Sequence, residues 1–118
     1  MKKVYYLSTC DTCKRVMDEI EIPSSYAKQD IKSEAITEEE LEKLKKLAGN
    51  YESLFSKRAK LYQARNLKNE SLLEADYKKL LLEHYTFLKR PVIMDNNEIF
   101  IGSSPKTIAA AKKSIHSN

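Results

Sequence analysis

Residues 3–20, "KVYYLSTCDTCKRVMDEI", carry the pattern that decides the fold of this chain. The β-branched and aromatic run at residues 3–7 favours a short buried strand, which the following serine and threonine would end. Apolar residues then recur at helical spacing, which predicts a helix from about Thr12 to Ile20, and Pro23 forbids its continuation. Both cysteines of the chain therefore lie where a strand is followed directly by a helix.

Three further signals predict elements outside the middle of the chain. Residues 24–31, SSYAKQDI, favour a second strand that would run parallel to the first through a right-handed crossover. The sequence VIMDNNEIFIG consists of two short apolar runs around Asn96 and Asn97, which indicates a hairpin. Ser104 followed by Pro105 predicts the start of a final helix, because serine is a good cap and proline fits the first turn.

The middle of the chain is predicted to be helical. The stretch TEEELEKLKKLAG combines a capping box, made by Thr37 and Glu40, with a C-terminal glycine at Gly49, and this predicts a helix between them. Residues 51–66, YESLFSKRAKLYQARN, and residues 72–85, LLEADYKKLLLEHY, have apolar residues at helical spacing. We expect each of these two stretches to form an amphipathic helix.

The order of these elements predicts the fold class. Strand, helix, strand, three helices, hairpin and helix fit an α/β protein with a small mixed sheet of the thioredoxin-like kind and an inserted helical subdomain. We expect a single domain over residues 1–118, because a chain of 118 residues supplies one core. Its core would comprise about residues 1–35 and 86–118, and the helical insertion about residues 36–85.

Composition and charge narrow the class of protein. The net charge of +4 permits an anionic partner without requiring one, and the balance of apolar and charged residues indicates a folded, soluble protein. The first residues lack the apolar core of a signal peptide or of a membrane span, so we expect a cytoplasmic protein without membrane association. In a reducing compartment a CxxC pair is more often catalytic, redox-sensing or metal-binding than a structural disulfide.

The position of the first cysteine suggests a reactive thiol. At a helix N-terminus, unpaired N–H groups and the helix dipole lower the pKa of a thiol from about 8.5 to roughly 3.5–7.5, so Cys10 is the candidate nucleophile. Lys14 and Arg15 add positive charge nearby, whereas Asp11 opposes it. Cys13, one helical turn further on, is placed to attack an adduct on Cys10 and release it as an intramolecular disulfide.

The two cysteines could also have roles that need no reactive thiol. A free cysteine can serve only as a small buried hydrophobe, an alternative that suits Cys13 better than Cys10, but the position at the strand-to-helix junction favours the reactive thiol. Zinc would need further ligands, and His84 and His116 stand in no ligand spacing with the cysteines, so we expect no metal site. A phosphatase-type loop would need glycines that CDTCKRV lacks.

The basic residues clustered over residues 57–68 could indicate a nucleic-acid-binding surface. This stretch is flanked by glutamates and has no aromatic stacking motif. This composition favours a solvated helix face over direct binding of nucleic acid.

Three segments of the chain resemble a known family. YLSTCDTCKR, SKRAKLYQARN and FLKRPVIMDNNEIFIG are similar to the signature segments of the arsenate reductase/Spx (ArsC-like) family, in the same order and at similar separations. The resemblance implies a thioredoxin-like fold with a helical insertion, and a nucleophilic or redox-sensing role for Cys10. It also implies that Arg90 faces the reactive cysteine and that Pro91 is the thioredoxin-type cis proline, although KR alone is more typical of a solvated surface pair. The candidate substrate-binding residues are Thr12, Lys14, Arg58 and Pro91.

This chain departs from the arsenate-reducing branch of that family. The branch presents three arginines to the oxyanion, and here only Arg90 stands in its place. Ser56 occupies the position of one of the others, and the segment around Gly102 and Ser103 has no arginine. Arg58 instead resembles an arginine of the Spx branch, whose members carry CxxC, sense redox state and bind RNA polymerase.

Two functional hypotheses follow from the resemblance. The first is a monomeric thiol oxidoreductase without a bound cofactor, in which Cys10 attacks a small arsenate-like oxyanion or a glutathione-type disulfide and Arg90 holds the anion. Its reductant would be glutathione with glutaredoxin, or thioredoxin. The alternative is an Spx-like redox-sensing transcriptional regulator that binds RNA polymerase through a surface near Gly49, although that glycine also fits an ordinary helix C-cap.

Overall fold

A small mixed sheet belongs to the first of two units into which the chain divides. The computed structural model describes residues 1–117. The first unit comprises residues 1–34 and the chain from residue 90 onward, and the second comprises residues 35–89.

The sheet has four strands, in the spatial order β2-β1-β3-β4. The strands are β1 Lys2–Tyr6, β2 Ala27–Asp30, β3 Val92–Asp95 and β4 Glu98–Ile101. β1 is parallel to β2 and antiparallel to β3, and β3 is antiparallel to β4. The predicted small mixed sheet is confirmed, and β2 is shorter than the stretch of residues 24–31 that the sequence indicated.

The helices occur along the chain in the predicted order relative to the strands. Within the part of the chain that the structure describes they are α1 Asp11–Ile20, α2 Glu38–Ala48, α3 Lys60–Ala64, α4 Glu74–Glu83 and α5 Pro105–His116. α1 ends where Glu21 adopts a left-handed conformation, with φ of 60°, two residues before Pro23. α5 begins at Ser104, whose hydroxyl oxygen accepts the N–H of Thr107 at 3.1 Å, so the predicted serine cap is confirmed.

The core of the first unit lies where α1 and α5 cover one face of the sheet. Val4 and Ile93 stand opposite each other on the adjacent strands β1 and β3, and so point to the same face. α1 contributes one apolar stripe, because its charged residues lie on the opposite side of the helix and Pro23 follows its end. The buried cluster consists of Val4, Val16, Ile20, Tyr26, Ile93, Ile108 and Ala111. This packing holds the N-terminus of α1 at the carboxyl end of β1.

The hairpin forms as its sequence predicts. Asn96 has φ of 58°, a left-handed conformation that asparagine tolerates better than most residues. Val92 pairs with Ile101 and Asp95 with Glu98, so the two strands are in register from the turn to the far end. The carbonyl oxygen of Pro91, just before β3, accepts the N–H of Gly102 at 2.9 Å.

In the second unit, α2 and α4 agree with the sequence pattern. The hydroxyl oxygen of Thr37 accepts the N–H of Glu40 at 3.1 Å, and the Glu40 carboxylate accepts the N–H of Thr37 at 3.1 Å. Gly49 ends α2 with φ of 98°, a conformation that glycine reaches without steric cost. The capping box and the C-terminal glycine are both confirmed.

The prediction of one amphipathic helix over residues 51–66 is wrong. A short 3-10 turn at Glu52–Leu54 is separated from α3 by a non-helical segment that contains a turn at residues 57–58. There, Phe55 pairs with Leu88 in an isolated β-bridge, and its ring stacks on Phe87 with centroids 5.2 Å apart. Burying these aromatic rings and pairing their backbone groups outweighs the local preference for helix, which is a weak preference in any one residue.

We predict that Thr37→Ala lowers the free energy of unfolding by about 1 kcal/mol, because the N–H of Glu40 at the start of α2 loses the hydroxyl oxygen that accepts it. Urea unfolding followed by far-ultraviolet circular dichroism measures this loss. Thr37→Ser keeps the hydroxyl and is the matched control, so it should unfold close to the wild-type midpoint. Equal destabilisation by both substitutions would show that the hydroxyl is not what caps the helix.

Candidate functional site

A tight turn delivers Cys10 to the start of α1. The N–H of Cys10 donates to the carbonyl oxygen of Leu7 at 3.0 Å, which closes a β-turn over residues 7–10. Cys10 is the N-cap residue of α1, and its own carbonyl oxygen accepts the N–H of Lys14 at 3.2 Å. The half-buried thiol of Cys10 thus lies at the strand-to-helix junction, as the sequence predicted.

Cys13 lies one turn along α1, in a different environment. Its side chain is 0% exposed, and it shares the buried face of the helix with Val16 and Ile20. Both cysteines are free thiols. The i, i+3 spacing on one helix places the two sulfurs beside each other, one accessible and one enclosed.

The surroundings of Cys10 favour its thiolate. Burial alone would raise the pKa of Cys10, but the backbone N–H and the thiol of Cys13, together with the charge and hydrogen bonding of Arg90, outweigh it. The net result is a pKa below the ordinary value for a thiol. These donors and the positive charge of Arg90 interact more strongly with a thiolate than with a thiol, so they favour the charged form of Cys10.

Cys13 is shifted in the opposite direction. Burial, and then the hydrogen bond and negative charge of Cys10, raise the pKa of Cys13 to about 11, although the N–H of Leu7 and the charge of Arg90 work against the increase. The same hydrogen bond therefore lowers the pKa of one cysteine and raises the pKa of the other, because the Cys13 thiol donates to the Cys10 thiolate. Cys10 therefore ionises before Cys13, and Cys13 keeps its proton at neutral pH.

Arg90 is brought to both sulfurs by the start of β3. It is half-buried, it immediately precedes Pro91, and the Arg90–Pro91 peptide bond is cis, as the family resemblance implied. Its positive charge lowers the pKa of Cys10 and of Cys13. The structure therefore joins three predicted site residues, Cys10, Cys13 and Arg90, into one cluster.

The other candidate residues occupy varied positions. Thr12 and Lys14 are exposed on the first turn of α1, next to the cysteines, whereas Pro91 is buried. Arg58 is exposed and belongs to the second unit, between the 3-10 turn at Glu52–Leu54 and α3. Their roles in binding substrate stay predictions.

Two interactions in and next to the cluster of Cys10, Cys13 and Arg90 could not be predicted from sequence motifs. The N–H of Leu7, a backbone group, acts on the Cys13 sulfur. Asp30 accepts a hydrogen bond from the hydroxyl of Ser8, within the turn that precedes Cys10, at 2.6 Å. The type of a residue does not show where its backbone N–H will point, so the role of Leu7 could not be predicted. The position of Asp30 at the end of β2 could have indicated a contact with the turn, because the turn leaves the sheet at the same edge.

No group of three or more histidine, cysteine, aspartate or glutamate side chains suited to a metal ion occurs within residues 1–117. Over the same residues, none of the helices combines the length and the apolar character needed to cross a membrane.

We predict that iodoacetamide modifies Cys10 well before Cys13, and that the rate for Cys10 reaches its plateau at a lower pH than for an ordinary cysteine. The reason is that the thiolate is the reactive form, and a thiol with a pKa of about 11 is ionised only to about one part in ten thousand at pH 7. Mass spectrometry of peptides after timed alkylation measures both rates.

Two variants serve as matched controls for this prediction. Cys13→Ser keeps a hydroxyl that can donate to Cys10, whereas Cys13→Ala does not, so the alanine variant should show the higher pKa of Cys10. If Cys13 reacts first in the wild-type protein, the two roles have been assigned the wrong way round.

Comparisons with known proteins show which family and fold this chain resembles. A sequence model of the ArsC family matches residues 5–111. The global transcriptional regulator Spx 2 of Bacillus anthracis is 28% identical over 112 residues, which cover 92% of this chain and 84% of that protein. Spx of Bacillus subtilis is 27% identical over 106 residues, covering 86% and 79% of the two chains.

A solved structure extends the comparison to the fold. The arsenate reductase from Vibrio cholerae superimposes with a TM-score of 0.71 at 22% identity, covering 93% of this chain and 98% of that chain. At this identity the likeness concerns the fold, and it confirms the expected thioredoxin-like architecture with its helical insertion. Since the family model spans nearly the whole sequence, this chain belongs to the ArsC family.

Proposed function

We propose that this protein is a thiol–disulfide oxidoreductase in which Cys10 is the nucleophile and Cys13 the resolving thiol. One observation carries the proposal: two adjacent thiols at a helix N-terminus have pKa values displaced in opposite directions, and one arginine acts on both. A buried pair that served only to fill the core would need neither the exposed sulfur nor the charged neighbour.

The first step with a glutathione-type disulfide follows from the acidity of Cys10. The Cys10 thiolate attacks one sulfur of the substrate disulfide, a new S–S bond to Cys10 forms, and the other substrate sulfur leaves as a thiolate. Arg90 is suited to holding the anionic part of the substrate, because a planar guanidinium offers paired donors to a carboxylate. The product of this step is a mixed disulfide on Cys10.

The second step depends on a change in the acidity of Cys13. Once Cys10 carries the adduct, its negative charge and its role as a hydrogen-bond acceptor are gone, and both had raised the pKa of Cys13. Burial still opposes ionisation, while the N–H of Leu7 and the charge of Arg90 still favour it. Cys13 attacks the Cys10 sulfur while its proton passes to the departing substrate sulfur, so the Cys10–Cys13 bond forms and the remaining half of the substrate leaves as a thiol. The adduct itself thus makes the resolving thiol more reactive.

An oxyanion of the arsenate type could enter the same scheme. Dihydrogen arsenate and the two thiols would give dihydrogen arsenite, one water and the Cys10–Cys13 disulfide, which balances two electrons and all atoms. Of the three arginines of the arsenate-reducing branch, this chain retains Arg90 alone, because Ser56 and the segment at Gly102 and Ser103 supply none. This difference favours the disulfide as substrate over the oxyanion.

Either substrate leaves a Cys10–Cys13 disulfide that must be reduced for another turnover. We propose that an external thiol, from glutathione with glutaredoxin or from thioredoxin, returns two electrons in a reducing compartment such as the cytoplasm. The protein would act as a monomer without a resident cofactor.

A second candidate function is supported by the relatives of this chain. Several curated relatives at 26–28% identity are named global transcriptional regulators Spx. Under this alternative the same disulfide is a signal, and the partner is RNA polymerase. Gly49, proposed from the resemblance as part of that contact surface, has the φ of 98° expected of an ordinary helix C-cap, so its presence does not by itself indicate a contact surface.

We predict that mild oxidation with glutathione disulfide joins Cys10 and Cys13 within one chain. The proximity of the two sulfurs and the absence of any other thiol in the sequence favour this product over a dimer. Intact-mass measurement should show the loss of two hydrogens, and the Cys13→Ser variant should instead retain one glutathione. A glutathione adduct that persists on wild-type Cys10 would contradict the role of Cys13.

We predict that Arg90→Lys slows turnover of a glutathione-type disulfide by raising the activation free energy by about 1–3 kcal/mol. The reason is that lysine cannot replace the paired donors of arginine. Arg15→Lys is the matched control: Arg15 is exposed on α1 and pairs with Glu19 at 3.4 Å, so its replacement should change little. Equal rates for both variants would remove Arg90 from substrate binding.

Two parallel assays separate the candidate functions. Turnover of arsenate and of glutathione disulfide, each with glutathione and thioredoxin as reductants, tests the enzyme. Retention of RNA polymerase by the oxidised but not the reduced protein, with no turnover of either substrate, would support the regulator instead.

A further inference from the structure

Asp30 holds the turn that carries the reactive cysteine. Its carboxylate accepts the hydroxyl of Ser8 at 2.6 Å, and the N–H of Ser8 also acts on it. Ser8 is the first central residue of the β-turn over residues 7–10, which the N–H of Cys10 closes. The hydrogen bond from the Ser8 hydroxyl to this carboxylate restrains the turn at its centre.

The sheet brings Asp30 to this position. β1 and β2 are parallel with Tyr6 opposite Asp30, so Asp30 stands at the carboxyl end of β2 beside the last residue of β1. The N–H of Ile31 donates to the carbonyl oxygen of Tyr6 at 2.9 Å and extends the pairing by one residue. Parallel pairing therefore places the carboxylate at the edge of the sheet from which the turn departs.

Asp30 is itself anchored by the chain that follows it. The N–H of Lys32 donates to one carboxylate oxygen at 3.2 Å, and the hydroxyl of Ser33 donates at 3.3 Å to the oxygen that also accepts Ser8. A carboxylate held by several donors keeps a low pKa, and the hydrogen bond from Ser8 is the main reason that the pKa of Asp30 lies below its ordinary value. Asp30 is charged at neutral pH, so the tether to Ser8 is a charge-assisted hydrogen bond.

The restrained turn meets both thiols. Leu7, its first residue, directs its N–H to the Cys13 sulfur, and its last residue is Cys10. Movement of the turn would change the position of the Cys10 sulfur relative to its donors and the position of the Leu7 N–H relative to Cys13. A negative charge near a thiolate is electrostatically unfavourable, so attraction cannot explain a carboxylate at this edge.

We infer that Asp30, acting through Ser8, is a positioning residue that holds the Leu7–Cys10 turn, and with it the Cys10 sulfur, in place beside Cys13. The inference deepens the proposed oxidoreductase function and rests on it for its biological meaning. It assigns Asp30 no contact with substrate or with the reacting sulfurs.

The test is the pH dependence of Cys10 alkylation by iodoacetamide in a pair of serine variants. Ser8→Ala and Ser33→Ala each remove one hydroxyl bonded to Asp30, but only Ser8 lies in the turn. For Ser8→Ala we expect the alkylation midpoint to rise by about half a unit to one unit, so that the rate one unit below the wild-type midpoint falls about three- to tenfold. Ser33→Ala should keep the wild-type midpoint.

A second pair of variants separates tethering from charge. Asp30→Asn and Asp30→Ala remove the same negative charge, but the asparagine amide oxygen can still accept the Ser8 hydrogen bond. The midpoint of Asp30→Ala should therefore lie above that of Asp30→Asn. Unfolding in urea, measured for all four variants, identifies any that fails to fold, and the serine pair decides the question if Asp30→Ala does not.

Two results would overturn the inference: identical midpoints for Ser8→Ala and Ser33→Ala, or identical midpoints for Asp30→Asn and Asp30→Ala. Alkylation needs neither a substrate nor a disulfide. If the wild-type protein forms no Cys10–Cys13 disulfide, the proposed function fails, while the comparison of midpoints still decides the role of Asp30.

Discussion

The hydrogen bond from the Cys13 thiol to the Cys10 thiolate is the interaction on which the chemistry of this protein depends. It requires one sulfur at the helix N-terminus and the other on the buried face one turn later, a geometry that the i, i+3 spacing provides only if the helix begins at Asp11. The rest of the first unit maintains this start: the sheet and α5 hold α1 through its apolar stripe, and the turn over residues 7–10 ends β1 directly before it.

Under the proposed function, this arrangement would let one small site perform two successive reactions. The thiolate is stabilised where it is exposed to a substrate, and the thiol is kept protonated where burial protects it. Formation of an adduct on Cys10 removes part of what keeps Cys13 protonated, so the order of the two steps is set by electrostatics. Arg90 favours ionisation of both sulfurs and can contribute at each stage. A reductase and a redox sensor would both form the disulfide in this order. They differ in its fate, because an external thiol reduces the disulfide of a reductase, whereas the disulfide of a sensor is a signal to a partner protein.

The local signals were sufficient for most elements. The strand-to-helix junction at the cysteines, the capping box of α2, the serine cap of α5 and the turn at Asn96 all depend on residues within a few positions of each other. The helix predicted over residues 51–66 failed for the opposite reason, since Phe55 pairs with Leu88, a residue 33 positions away by the numbering. Apolar periodicity cannot distinguish a helical face from aromatic residues that are buried in an extended segment.

Neighbouring residues were enough to predict that two cysteines stand one helical turn apart at a strand-to-helix junction, where the helix N-terminus lowers the pKa of the first. Spacing and helix position are both properties of residues close together in the chain. The opposite displacement of the two pKa values, the action of Arg90 on both sulfurs and the tether from Asp30 to the turn were decided only by the tertiary structure. These effects join residues from β2, α1 and the start of β3. Burial and electrostatic interaction depend on distance in space, which the folding of the sheet sets and the order of residues along the chain does not.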